Sequence, residues 1–218
     1  MKCIICNQRK GKRFCPAKNA LICAQCCGEK RVLEIDCPES CEYLKVGRSH
    51  EVKEYVRHIR NADPRKSEMH DRVLRENEEI VAHLELVLAQ ARLTVRDLAD
   101  KDAAEALDLL LETYRTEDKG ILYEKTANDL RVDSLRRQLR GVVESYRNPD
   151  KGGNEALIGS QEKRLSLKSA IESLEFIRDL LASHLEAGVS PSSYVDLLAR
   201  IIPRERPSDD TRRSIIIP

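Results

Sequence analysis

All eight cysteines of this 218-residue chain lie between positions 3 and 41, and everything after them is cysteine-free. They are Cys3, Cys6, Cys15, Cys23, Cys26, Cys27, Cys37 and Cys41, spaced C-x2-C-x8-C-x7-C-x2-CC-x9-C-x3-C. In an exported mini-domain such a count would read as a disulfide framework. The opening "MKCIICNQRK" lacks the apolar stretch of an export signal, and in a reducing compartment thiolates at this spacing act as metal ligands. Zinc is the ion the spacing points to. Four thiolates at about 2.3 Å close a tetrahedron and leave no position for water. Eight thiols therefore predict two structural zinc ions, neither of which activates a nucleophile.

The cysteine segment has short polar turns and small apolar pairs, Ile4-Ile5 and Leu21-Ile22, enough for a tiny hairpin or two. It cannot build a core without a staple. From Ser49 the pattern turns helical, with Val52, Tyr55, Val56 and Ile59 at i, i+3, i+4, i+7 before Pro64. A stripe of Val73, Asn77, Ile80, Val81, Leu84, Val87, Leu88 and Ala91 predicts one helix from Glu68 to Arg92. Ala103, Ala106, Leu107, Leu110, Leu111 and Tyr114 mark the next, ending in "TEDKG". Leu135, Leu139, Val142, Val143 and Tyr146 mark a return helix that stops at "NPDKGG". Leu167, Ala170, Ile171, Leu174, Ile177, Leu181 and Leu185 define another, with Gly188 as its C-cap, and a last helix runs from a Ser190 or Ser192 cap to Pro203. The fold class is mainly α: a two-zinc finger at 1–47, a linking helix at 48–67, an all-helical bundle or array at 68–203, and a flexible tail at 204–218 ending in Ile215, Ile216 and Ile217.

"CIIC", then "RFCPAKNALICAQCC", then "CPESC" opening a helix, resembles the interleaved zinc fingers of the B-box, MYND and HIT-finger kind. The resemblance covers the first fifth of the chain and implies cross-braced pairing. Carried over, the first zinc is held by Cys3, Cys6, Cys23 and Cys26, and the second by Cys15, Cys27, Cys37 and Cys41. The position that follows Cys15 after two intervening residues, where those families place a ligand, is occupied by Lys18, which cannot bind zinc while protonated. Cys26 and Cys27 then divide between the two ions, the order of the two being open, and sequential pairing is the other arrangement. Such families use their fingers to bind protein partners or to buttress a neighbouring helical segment.

Thirty-eight basic and 37 acidic residues give a net charge of +1, which points to neither a nucleic-acid nor a membrane partner. Residues 1–50 carry ten basic against five acidic residues, an excess that two four-thiolate zinc sites of charge about −2 each would largely cancel. Arg9, Lys10, Lys12 and Arg13 remain candidates for phosphate contact, with Phe14 and Tyr43 for base stacking. His50, His58, His70, His83 and His184 form no metal-spaced pair and read as surface or edge residues. Glu76, Glu79 and His83 share a helix side but lack the second carboxylate–histidine helix of a bridged metal site. With no phosphate loop or recognisable nucleophile, the expectation is a non-enzymatic cytoplasmic adaptor with a zinc finger and a helical scaffold. It engages a protein partner; nucleic-acid binding through the basic finger face is the alternative, and homo-oligomerisation is open.

Overall fold

The computed structural model describes residues 1–61, 66–149, 164–188 and 190–203, without the side chains of 58, 60 and 61. The tail at 204–218 and most of the "NPDKGG" loop lie outside the described residues. Among them the chain is helical apart from one hairpin, as its periodicity predicts. The elements are β1 (Arg13–Cys15), β2 (Ala20–Ile22), α1 (Ala24–Lys30), α2 (Glu42–Asn61), α3 (Ser67–Glu76), α4 (Glu78–Thr94), α5 (Asp100–Asp118), α6 (Leu130–Arg147), α7 (Leu167–Ala187) and α8 (Ser193–Ile201). None of these helices is long and apolar enough to cross a membrane.

Apolar side chains repeating every three or four residues give each helix one face to bury, and those faces meet in one core. On α5 the predicted stripe is buried in full. It packs against α6 and α7, while α4 carries α6 and α8. Phe176, Ile177, Leu180 and Leu181 of α7 and Tyr194, Val195 and Leu198 of α8 complete the cluster. Leu185, placed in the α7 stripe by period, is instead exposed. Gly188 closes α7 at φ +63, a left-handed cap that costs glycine nothing.

Four local expectations are corrected. The helix expected over 68–92 is two, α3 and α4, hinged at Asn77 with φ −132 and ψ 20. Asparagine competes for backbone hydrogen bonds and favours such breaks, while the bonds from Asn77 N–H to Val73 O and from Val81 N–H to Asn77 O carry the ladder across it. The linking helix starts at Glu42, well before Ser49. Pro38 and Ser40 belong to a turn ahead of that helix, so Cys37 and Cys41 do not share a helical turn; the carbonyl of Cys41 accepts from the Lys45 N–H. Finally, His70 is buried rather than peripheral, its Nε2 3.1 Å from Asp179 and its ring edge-on to Phe176.

Two buried carboxylates join helices that are distant in sequence. Asp100, at the start of α5, accepts from the N–H groups of Tyr194 and Val195, both at 3.0 Å, and from the Ser193 hydroxyl at 3.1 Å. It caps α8 from outside that helix. Glu85 of α4 accepts from the hydroxyls of Tyr55 in α2 and Tyr194 in α8, tying three helices at one oxygen. The His184 ring of α7 lies against Tyr194. Burial pushes the Glu85 carboxyl up, against the opposing effect of the two hydroxyls.

Asp100→Ala should strand two backbone donors and cost about 2 kcal/mol, seen as a lower urea midpoint at unchanged m-value. A carboxyl whose pKa is raised on folding stabilises most below the ordinary glutamate range, and that contribution is lost as pH rises through the raised value. Glu85→Gln should remove this dependence. The unfolding free energy of the wild type minus that of the variant should fall as pH rises above the ordinary glutamate range; a difference that stays constant would refute the raised carboxyl.

Candidate metal centre

A C-x2-C pair presents two sulfurs to one ion when the chain turns back immediately after it. Asn7 provides that turn at φ +53, a left-handed conformation that asparagine tolerates better than most residues. Its N–H donates to the Cys3 carbonyl at 2.8 Å. The turn aims the backbone N–H groups of Arg9 and Gln8 at the Cys6 sulfur, which lower its pKa. Beginning six residues after Asn7, β1 pairs antiparallel with β2 in the register Arg13↔Ile22, Phe14↔Leu21, Cys15↔Ala20. Gly11 lets the first loop lie against this hairpin, since a Cβ there would sit 3.0 Å from both Leu21 Cβ and Leu21 O.

β2 delivers Cys23 to the start of α1, a short helix that the sequence reading missed within "CAQCCGEKR". Cys23 is its N-cap, and the sulfur accepts from the Cys26 N–H at 3.4 Å. The metal-ligating atoms of Cys3, Cys6, Cys23 and Cys26 all lie within 4.8 Å of one another. A tetrahedral zinc with bonds of about 2.3 Å needs sulfurs about 3.8 Å apart, so this donor set fits the ion by chemistry and by closeness. Three of the four residues are buried and Cys6 is half-buried. The Cys26 N–H and the Arg9 guanidinium pull the Cys23 thiol down to about 6, while burial and then its neighbouring thiols push Cys26 up to about 12. The Cys23 thiolate is thus available to a metal near neutral pH.

Successive helical residues point about 100° apart, so Cys26 and Cys27 diverge. Cys26 joins the first group, and Cys27 lines a separate cavity with Cys15, Cys37 and Cys41, walled by Ile22, Ile35 and Leu44. These four do not gather as closely as the first set. The charges of Cys41, Cys15 and Cys27 add to burial in raising the Cys37 thiol, and the Val32 N–H opposes them by pointing at its sulfur. Val32 adopts φ +66 to do so, a conformation that β-branched residues avoid. The turn after Cys15 repeats the first knuckle in outline: Asn19 has φ +47, and the Lys18 N–H donates to the Cys15 carbonyl at 3.2 Å. Position 18, the counterpart of Cys6 in the first knuckle, is a lysine.

The four proposed phosphate contacts separate. Arg9 donates to the sulfurs of Cys23 and Cys26, and Arg13 stacks 4.9 Å over the Tyr43 ring. Lys10 and Lys12 are exposed. The left-handed Asn7, Asn19 and Val32 were not singled out from sequence, although asparagine just after a C-x2-C pair is a readable turn signal; Arg9 was singled out, but for a phosphate rather than for the sulfurs it donates to. His83 is bonded to Tyr146. Compared with protein-family models, curated proteins and solved structures, the chain matches none of them.

Apart from cysteines, the buried aliphatic side chains of the finger are Ile22, Val32, Ile35 and Leu44. Metal coordination must supply most of its folding free energy. Chelation under reducing conditions should therefore remove hydrogen-exchange protection from residues 1–41 and leave α5, α6 and α7 protected. Protection of the finger that survives chelation would show that it folds without metal.

Proposed function

We propose that the chain is a non-enzymatic, zinc-dependent protein-interaction protein with two structural zinc ions, the second held by Cys15, Cys27, Cys37 and Cys41. Support for the second ion comes from the shared cavity of these cysteines and from the Val32 N–H turned onto Cys37 at the cost of a disfavoured backbone. Hydrogen bonds from backbone to ligand sulfur are the outer shell that such sites use.

The adaptor reading is carried by one observation, the apolar surface of the finger. Phe14 is 53% exposed, Tyr43 40% and Val46 70%. Phe14 stands on the hairpin, Tyr43 and Val46 on the first turns of α2, and Phe14 and Tyr43 border the second cysteine cavity. Aromatic side chains presented on a rigid small module are the usual anchors of protein interfaces. A second reading, binding of a nucleic acid, has the stacked Arg13–Tyr43 pair beside Phe14 in its favour, with Lys10 and Lys12 on the same loop.

Elemental analysis of protein purified under reducing conditions should find two zinc ions per chain; one ion per chain would remove the second site. The full chain used as bait should capture a protein partner, and both chelator and Val46→Glu with Phe14→Ser should abolish that capture. Capture that survives all of these would overturn the adaptor reading. Binding to generic RNA or DNA that weakens steeply with salt would favour the nucleic-acid reading instead.

A further inference from the structure

One residue touches every member of the first cysteine group. The Arg9 carbonyl accepts from the Cys3 N–H at 2.8 Å. Its own N–H points at the Cys6 sulfur. Its Nε donates to the Cys23 sulfur at 3.4 Å, and its Nη2 reaches the Cys26 sulfur at 3.7 Å. Cys3 and Cys6 come from the first knuckle, Cys23 from the end of the hairpin and Cys26 from α1. Arg9 is therefore the point where the three pieces of chain that build the site are joined by hydrogen bonds.

We infer that Arg9 is the outer-shell positioning residue of the first metal site, bridging Cys23 and Cys26 with its guanidinium fork and neutralising part of the charge of the thiolate set. This rests on the metal reading of that site. Four thiolates on a divalent ion leave a net charge of about −2, concentrated on sulfurs that electrophiles attack. An N–H···S bond withdraws electron density from a thiolate and holds its orientation, and loss of such an outer-shell partner weakens a metal site by about tenfold to hundredfold. The planar fork of arginine spans two acceptors at once, whereas a lysine ammonium acts as a single point charge. The basic residue at position 9 thus serves the metal and not a phosphate.

The test is site-resolved alkylation of the zinc-loaded full-length chain, followed by mass spectrometry, on wild type, Arg9→Ala, Arg9→Lys and a Lys12→Ala control. Zinc content of the wild type is measured first. In Arg9→Ala, labelling of Cys3, Cys6, Cys23 and Cys26 should accelerate about tenfold to hundredfold while Cys15, Cys27, Cys37 and Cys41 keep their wild-type rates. Arg9→Lys should fall between, and Lys12→Ala should match wild type. Unchanged labelling of the first four in Arg9→Ala overturns the inference, as does equal acceleration at all eight, which would mean general loosening. Wild-type rates in Arg9→Lys overturn the bridging role of the fork. Absence of zinc from the wild type overturns the metal reading together with this inference, whereas zinc present with unchanged labelling overturns this inference alone.

Discussion

Convergence of Cys3, Cys6, Cys23 and Cys26 on one point is the constraint from which the geometry of the first forty residues follows. The segment has too few apolar side chains to collapse unaided, since Ile22 and Ile35 are the buried aliphatics in its cluster. Four ligands drawn from a knuckle, a hairpin end and a helix turn fix three chain directions at once. Once they are fixed, Gly11 can lie against Leu21 and α1 can begin at Cys23. Cys27 is then left facing the opposite cavity. Local order here is a product of ligand geometry, where in the helical body it is a product of buried area.

The two kinds of order meet on α2. Its first turns follow Cys41, and Gly47 inside it leaves room for the Arg31 guanidinium, whose Nη1 lies 1.2 Å from where a Cβ would stand. Arg48 pairs with Glu39 from the cysteine loop at 2.6 Å and donates to the Arg200 carbonyl of α8 at 3.1 Å. Arg200 returns to Glu51 at 2.7 Å. Further along, Tyr55 reaches Glu85. These polar contacts are modest individually, but they share one rigid helix. Disturbance of the cysteine loop therefore reaches α8 first, through Glu39 and Arg48, while α5, α6 and α7 hold their own apolar core.

What could be read from sequence follows the range of the forces involved. The α5 stripe and the Gly188 cap were legible because they depend on near neighbours and on period. The membership of the first cysteine group was legible because a resemblance in spacing carries a three-dimensional pairing with it. The break at Asn77 was hidden because its apolar stripe is continuous on both sides, so period alone argues for one helix. The burial of His70 and the roles of Glu85 and Asp100 depend on partners roughly a hundred residues away, and no local pattern announces those. The contact of Arg9 with the sulfurs was hidden for a related reason: charge on a basic loop looks the same whether it faces a phosphate or a thiolate.

That reassignment changes what the finger offers a partner. Arg9, itself exposed, donates to the sulfurs and Arg13 stacks on Tyr43, while Lys10 and Lys12 stand exposed near exposed Phe14. The surface thus combines a few mobile ammonium groups with fixed aromatic and aliphatic area. Ammonium groups on flexible stems steer an anionic partner towards a surface more than they hold it there, and holding falls to desolvated apolar contact. A partner complementary to this face needs apolar side chains to cover Phe14, Tyr43 and Val46, with acidic residues at the rim. The exposed side chains of Phe14, Tyr43 and Val46 are the physical reason the proposal ranks a protein partner above a nucleic acid.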